Sequence, residues 1–144
     1  MKRILAGMLL APFLACAAVA AEPTADVKNV SGSVNVQRGD VRLAPVAGDI
    51  LQVQDVLRTG ADGSIGISFA DGTRLSVGPS SEVALRAYLF APLENKFAFE
   101  LLLRKGTAAY SSGRLGKLAP EAVKVVTPEA SIGIRGTTFV LKVE

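Results

Sequence analysis

Apolar residues fall two apart along most of this chain, and this spacing restricts what the chain can fold into. The longest run places Phe97, Phe99, Leu101 and Leu103 on one side, with the intervening residues facing the other way. Alternation at period two is typical of a strand with one buried face, whereas a helix needs spacings of three and four. No long window offers the helical spacing. We therefore predict an all-β chain with Phe97 and Phe99 in its core.

Turn-forming residues separate the alternating runs. Asp62-Gly63 and Asp71-Gly72 are pairs that tolerate positive φ, as tight hairpin turns require, and Pro79-Ser80-Ser81 is a further break. Short strands with such turns between them predict one all-β domain. A weak repeat, as in Gly63-Ser64-Ile65-Gly66-Ile67, suits a short β-solenoid or roll in which each rung covers the next. A β-sandwich is the alternative.

The first residues have the features of an export signal. Lys2 and Arg3 precede an uncharged stretch that ends in small residues by Ala21. We expect residues 1–21 to be a signal peptide and residues 22–144 to be the working domain, located in the periplasm or secreted. An uncleaved membrane anchor is one alternative. Lipidation at Cys16 is another, because Phe13-Leu14-Ala15-Cys16 is similar to a bacterial lipoprotein box.

Charge and residue counts exclude several classes of function. Without Lys2 and Arg3 the chain has 14 basic and 13 acidic side chains, a net charge of +1, so we expect no nucleic-acid partner. Histidine is absent, which excludes a Ser-His-Asp triad and His/Cys zinc sites. The Asp62-Gly63 and Asp71-Gly72 pairs have the nine-residue period of calcium-binding β-rolls, but two copies are too few. We predict no catalytic residue, no metal and no cofactor.

Several motifs of the chain resemble the FecR-type periplasmic domain family. They are Gly48-Asp49-Ile50-Leu51, Asp55 to Gly60, Asp62-Gly63-Ser64 with Ile67 to Leu75, and Val125 to Phe139. The resemblance covers roughly Val30 to Val143. It implies a β-rich, solenoid-like fold and a regulatory or binding role outside the cytoplasm. Well-known members carry a cytoplasmic anti-sigma segment and a membrane span before this domain. The expected signal peptide takes their place here, so the chain is similar to a stand-alone version.

The resemblance also supplies candidate site residues, with a structural or a recognition role. These are Thr59, Gly60, Asp71, Gly72, Arg135, Gly136 and Thr137. Arg135 can hold a carboxylate or phosphate through paired hydrogen bonds, or bond to backbone carbonyls at a turn. Its position between two apolar runs favours the turn. Tyr88 and Phe90 face away from Leu85 and Leu89 if their strand is regular, and could then form a partner surface.

These observations favour contact over catalysis. We expect an exported, non-enzymatic module that binds an envelope protein of unknown identity or senses a signal. A partner strand could add to the terminal run Phe139 to Glu144 through main-chain hydrogen bonds. A peptidoglycan- or carbohydrate-binding module is the alternative, although the chain has no tryptophan for a stacking platform. We expect membrane contact only if Cys16 is lipidated or the signal is uncleaved.

Overall fold

The computed structural model describes residues 24–133 and 138–144 as a strand-rich domain. The expected signal peptide, including Cys16, and the Arg135-Gly136-Thr137 motif lie outside the described residues. The strands are β1 (Ala25–Ser31), β2 (Val34–Arg38), β3 (Val41–Leu43), β4 (Ile50–Leu51), β5 (Val56–Thr59), β6 (Ser64–Phe69), β7 (Arg74–Val77), β8 (Glu82–Ala91), β9 (Lys96–Ser111), β10 (Val123–Val126), β11 (Ser131–Gly133) and β12 (Thr138–Val143). One short helix, α1 (Arg114–Leu118), lies between β9 and β10.

The strands form one curled, open sheet that resembles half a barrel. Its order is β3-β2-β5-β8-β9-β7-β6-β1-β4. Outside this order, β10 and β12 also pair with β9, and β11 pairs with β10. The prediction of an all-β fold is confirmed. Among the described strands only β10 and β9 pair in parallel, so the sheet differs from the parallel rungs of a solenoid. Period-two alternation fixes which face a residue occupies but not the direction of the neighbouring strand.

β9 joins two parts of the sheet, which we call its arms. One arm contains β8, β5, β2 and β3, and the other contains β7, β6, β1 and β4. The first part of β9 pairs with β8 and β10, and its last part pairs with β7 and β12. Gly106 divides the two parts and has φ of 93°, a backbone angle that glycine adopts without strain. A Cβ at Gly106 would overlap the backbone and side chain of Ser81. The strand therefore bends where β8 begins, and both arms enclose one apolar core.

A bulge in β8 changes which of its side chains point inward. The register with β9 shifts between Leu85 and Ala87, so Arg86 has no residue opposite it. Leu85 is buried, and after the bulge Tyr88 and Phe90 also pack against the core, while Leu89 is exposed. The expectation for Tyr88 and Phe90 assumed a regular strand, and the strand is not regular. The predicted core positions of Phe99, Leu101 and Leu103 are confirmed, and Phe97 is half-buried against them.

Candidate interaction site

Thr59 and Gly60 hold two loops against the end of β5. The Thr59 hydroxyl donates to the carbonyl of Gly78 at 2.6 Å and accepts from the backbone N–H of Ser81 at 2.9 Å. The Gly60 N–H donates to the Ser33 carbonyl at 2.8 Å, and the Gly60 carbonyl accepts from Ser80 N–H at 2.9 Å. Both residues thus make contacts within the chain that connect β5 to its neighbours.

Asp71 lies in the β6–β7 turn, and its buried carboxylate accepts four hydrogen bonds. The donors are the N–H and hydroxyl of Thr73, at 3.3 and 2.6 Å, the Tyr88 hydroxyl at 2.9 Å, and the Leu115 N–H at 2.9 Å. The Asp71 carbonyl also accepts from Arg114 N–H at 2.9 Å. A five-residue helix has little stability of its own, so Asp71 fixes the start of α1. Gly72 takes the positive φ of 90° that this turn requires.

Tyr88 and Phe90 are half-buried rather than forming an open aromatic surface. The Tyr88 ring lies 5.1 Å from that of Phe69, and the Arg114 guanidinium lies 5.4 Å from the centre of the Phe90 ring. Every aromatic side chain among the described residues is buried or half-buried. A partner surface at Tyr88 and Phe90 stays a prediction, and it would use only their outer edges.

Burial raises the pH at which the two tyrosines of the chain lose their hydroxyl protons. Desolvation, and then the hydrogen bond to Asp71, raises the pKa of Tyr88 well above its usual value, and burial raises the pKa of Tyr110. The unfolded chain therefore loses these protons first. Stability should be complete below about pH 10 and fall as the pH rises above it. Absorbance at about 295 nm should show tyrosinate only as the chain unfolds, whereas in denaturant both residues should titrate near pH 10. Tyrosinate forming near pH 10 while the circular dichroism stays native would contradict this.

The two ends of the sheet path come together at a seam. β3 lies at one end and β4 at the other, and only residues 44–49 separate them in the chain. Among the described strands, β3 pairs with β2 alone and β4 with β1 alone, so each leaves one strand edge open. The Arg38 guanidinium, at the end of β2, donates to the Ile50 carbonyl of β4 at 3.1 Å. A single side chain therefore spans the seam.

An ion pair holds Arg38 in this position. Its Nε and Nη2 donate to the two carboxylate oxygens of Asp55, at 3.0 and 2.8 Å, and Gln52 N–H donates to the same carboxylate at 2.8 Å. The Asp55 side chain is only 1% exposed. The hydrogen bond to Asp55 is the main reason why the pKa of Arg38 is raised. A paired, two-pronged contact of this kind fixes the plane of the guanidinium.

We expect Arg38→Lys to weaken the seam without unfolding the domain. Lysine keeps the charge but cannot reach both Asp55 oxygens and the Ile50 carbonyl at once. The free energy of unfolding should fall by about 1–2 kcal/mol in a denaturant titration. Amide exchange at Ile50 and Leu51 should accelerate. The control is Arg58→Lys at the more exposed Arg58–Glu82 pair, where the loss should stay below about 1 kcal/mol. Equal losses at both sites would show that Arg38 has no special role at the seam.

A groove of about 270 Å³ lies along this seam. Its walls are mostly apolar and come from both free edges and the loop between them. The residues that line it are Val36, Arg38, Leu43, Ala44, Pro45, Asp49, Ile50 and Leu51. Val41, Leu43, Val46 and Ile50, along the same stretch of chain, are exposed. The sequence motif Gly48-Asp49-Ile50-Leu51 indicated this region, but nothing in the pattern showed that the two strands bearing these residues are sheet edges.

The groove brings together features suited to binding an extended chain. Open strand edges present unpaired N–H and C=O groups, apolar pockets accept side chains, and the guanidinium offers hydrogen-bond donors. Within the described residues no group of histidine, cysteine, aspartate and glutamate side chains has metal-binding geometry. The buried carboxylates of Asp55 and Asp71 already accept hydrogen bonds from the chain itself.

The fold and this groove are those of a small all-β module. Comparison with known proteins identifies its family. A family model described as FecR protein matches residues 55–144, more than half of the chain. The chain therefore belongs to the FecR protein family, which confirms the resemblance seen in its motifs. This family is associated with the bacterial envelope and suggests a regulatory or sensing module. Searches among curated proteins and among solved structures gave no match.

The family match and the groove occupy different parts of the chain. The match begins at Asp55, the residue that holds Arg38, whereas the groove is lined by residues between Val36 and Leu51. No helix within residues 24–133 and 138–144 has the length and apolar character needed to cross a membrane.

Proposed function

We propose that this protein is an exported, non-enzymatic regulatory module that binds an extended segment of another envelope protein. The observation that carries this proposal is the groove between two open strand edges, lined by apolar side chains and crossed by Arg38. Membership of the FecR family supports a regulatory role. The basic, then apolar, start of the sequence supports export.

The groove favours a partner segment in strand conformation. A segment running beside β3 would pair with its free edge and place alternate side chains toward Leu43 and Ile50. Val41 and Leu43 are exposed although they share a face of the sheet with the buried Val36, because no described strand lies beyond β3 to cover them. A bound strand would cover them. Arg38 would remain on Asp55 and offer its remaining N–H groups to a carbonyl or carboxylate of the partner.

A site-specific crosslinker tests the proposal. With a photoactivatable residue at position 43, irradiation of intact cells should give one discrete adduct. Ile50→Asp, on the opposite wall of the groove, should reduce that adduct at least fivefold. The matched control is Leu93→Asp in the β8–β9 turn, where the side chain is fully exposed and does not line the groove. Leu93→Asp should leave the adduct unchanged.

Two results would contradict the proposal. One is an adduct that survives Ile50→Asp while the variant remains folded by circular dichroism. The other is an adduct that Leu93→Asp removes equally well, because that would show non-specific hydrophobic association rather than binding in the groove.

A further inference from the structure

A second cavity lies on the face of the sheet that points away from the core, across the three strands that precede β4 in the sheet order. It measures about 360 Å³ and is polar. Three neighbouring strands, β1, β6 and β7, contribute to it. The side chains that carry the argument are Lys28, Asn29, Ser68, Arg74 and Ser76, with Gly66 among the lining residues.

An irregularity in β1 concentrates polar groups at this cavity. Val27 is opposite Ile67 and both are buried, whereas the next paired residue, Asn29, is opposite Gly66 on the outer face. Lys28 is the extra residue between them. A bulge bends its strand and redirects side chains, and here both Lys28 and Asn29 are exposed and line the cavity. A regular strand would have placed only one of these two on the outer face.

Gly66 allows the Asn29 amide to lie close to the sheet at this cavity. It is flanked across the sheet by Asn29 and Ser76. A Cβ at Gly66 would lie 2.8 Å from both the oxygen and the nitrogen of the Asn29 amide, so any larger residue would displace that amide. Glycine weakens the interior of a strand, and its presence there often marks a close approach of another group.

The cavity is positively charged and rich in hydrogen-bond donors. Arg74 makes no ion pair with another residue in the described part of the chain. Lys28 lies 3.6 Å from the Asp26 carboxylate, but both side chains are about half exposed, and such pairs exchange easily with other ligands. The Asn29 amide and the hydroxyls of Ser68 and Ser76 add neutral donors.

We propose that this cavity binds a phosphate group. Three neighbouring strands each contribute donors, so an oxyanion with several equivalent oxygens can accept from all three strands. An arginine fork, a lysine ammonium and hydroxyl groups are the residue types that bind phosphate in proteins. The proposal is independent of the groove, because the two cavities share no residue. The phosphate can come from a free ion or from a lipid headgroup, and both present the same oxygens.

Titration with inorganic phosphate and with vesicles containing phosphatidylglycerol tests the inference. In the NMR spectrum of the domain (residues 22–144), phosphate should shift the amide signals of Lys28, Asn29, Gly66 and Arg74. The site variant is Lys28→Gln with Arg74→Gln, and it should bind at least tenfold more weakly. The control variant is Arg42→Gln with Lys124→Gln, which removes the same charge from exposed positions elsewhere. The control should bind within twofold of the unaltered protein.

The outcomes separate specific binding from general attraction. Loss of phosphate binding in the site variant alone supports a free-ion site, and loss of vesicle binding in the site variant alone supports a lipid headgroup. Equal weakening in the control variant would overturn the proposal, because net charge would then explain the binding. Absence of binding to both probes would overturn it as well. Lys28 and Arg74 are exposed, so their substitution should leave the melting temperature nearly unchanged.

Discussion

Replacing Gly106 by alanine should lower the free energy of unfolding by more than about 4 kcal/mol. Losses of this size are rare and result from severe packing clashes or backbone strain. Two effects add. Alanine is strained at the φ of 93° found here, and its Cβ would overlap both Cα and Oγ of Ser81. Ser81 cannot move aside, because its N–H and carbonyl bond to Thr59 and its hydroxyl accepts from Thr107 N–H at 2.9 Å. The corner between the two arms would have to open.

Gly72→Ala is the matched control for this prediction. Gly72 has nearly the same φ, 90°, but open space where a Cβ would stand. It therefore reports the backbone strain alone, about 1–2 kcal/mol. Denaturant titrations of both variants, followed by circular dichroism, give the comparison. Similar losses for Gly72→Ala and Gly106→Ala would show that Ser81 can give way and that the corner is not rigid.

The face of each strand was largely predictable from the sequence, but the neighbours of each strand were not. Alternation placed Phe99, Leu101 and Leu103 in the core, where the structure has them. The same reasoning fails at Tyr88, because a bulge at Arg86 reverses the alternation without any signal in residue type. Pairing between distant strands depends on tertiary packing, which a local pattern cannot report. The solenoid expectation rested on a repeat whose copies begin at Gly32, Gly63 and Ala130. These copies fall in β2, β6 and β11, which are not neighbours in the sheet.

The candidate site was harder to predict for the same reason. The groove at the seam exists because β3 and β4 end the sheet path, and edge status is a property of topology alone. Asp71-Gly72 was predicted as a turn from its residue types, and Gly72 has the positive φ of such a turn. The contact from the Asp71 carboxylate to Leu115 spans 44 residues, so no local pattern could indicate it. The motif residues around Thr59 and Asp71 make contacts that stabilise the fold, while all residues that line the groove precede the family match.

Asp71→Ala should cost about 4 kcal/mol, because it removes the carboxylate that several buried donors around α1 share. The Thr73 hydroxyl, the Tyr88 hydroxyl and the Leu115 N–H would each lose a partner, and unsatisfied buried groups cost about 1–3 kcal/mol each before relaxation. The start of α1 would then be free to detach, and Leu115, which is fully buried, would lose the support that positions it.

Tyr88→Phe separates the contribution of the Tyr88 hydroxyl from that of the whole network. It removes a hydroxyl that donates to the Asp71 carboxylate at 2.9 Å and accepts from the Asp71 N–H at 3.1 Å. The ring stays against Phe69, so the loss should be about 1–2 kcal/mol. In a double-mutant cycle, the Tyr88→Phe effect should be smaller once Asp71 is alanine, because the hydroxyl then keeps only its bond from the backbone N–H of residue 71. An undiminished effect of Tyr88→Phe in the Asp71→Ala background would show that the bond from the hydroxyl to the carboxylate contributes nothing to stability. Amide exchange at Leu115 provides the local measurement: it should accelerate strongly in Asp71→Ala and only slightly in Tyr88→Phe, since the carboxylate bonds directly to that N–H.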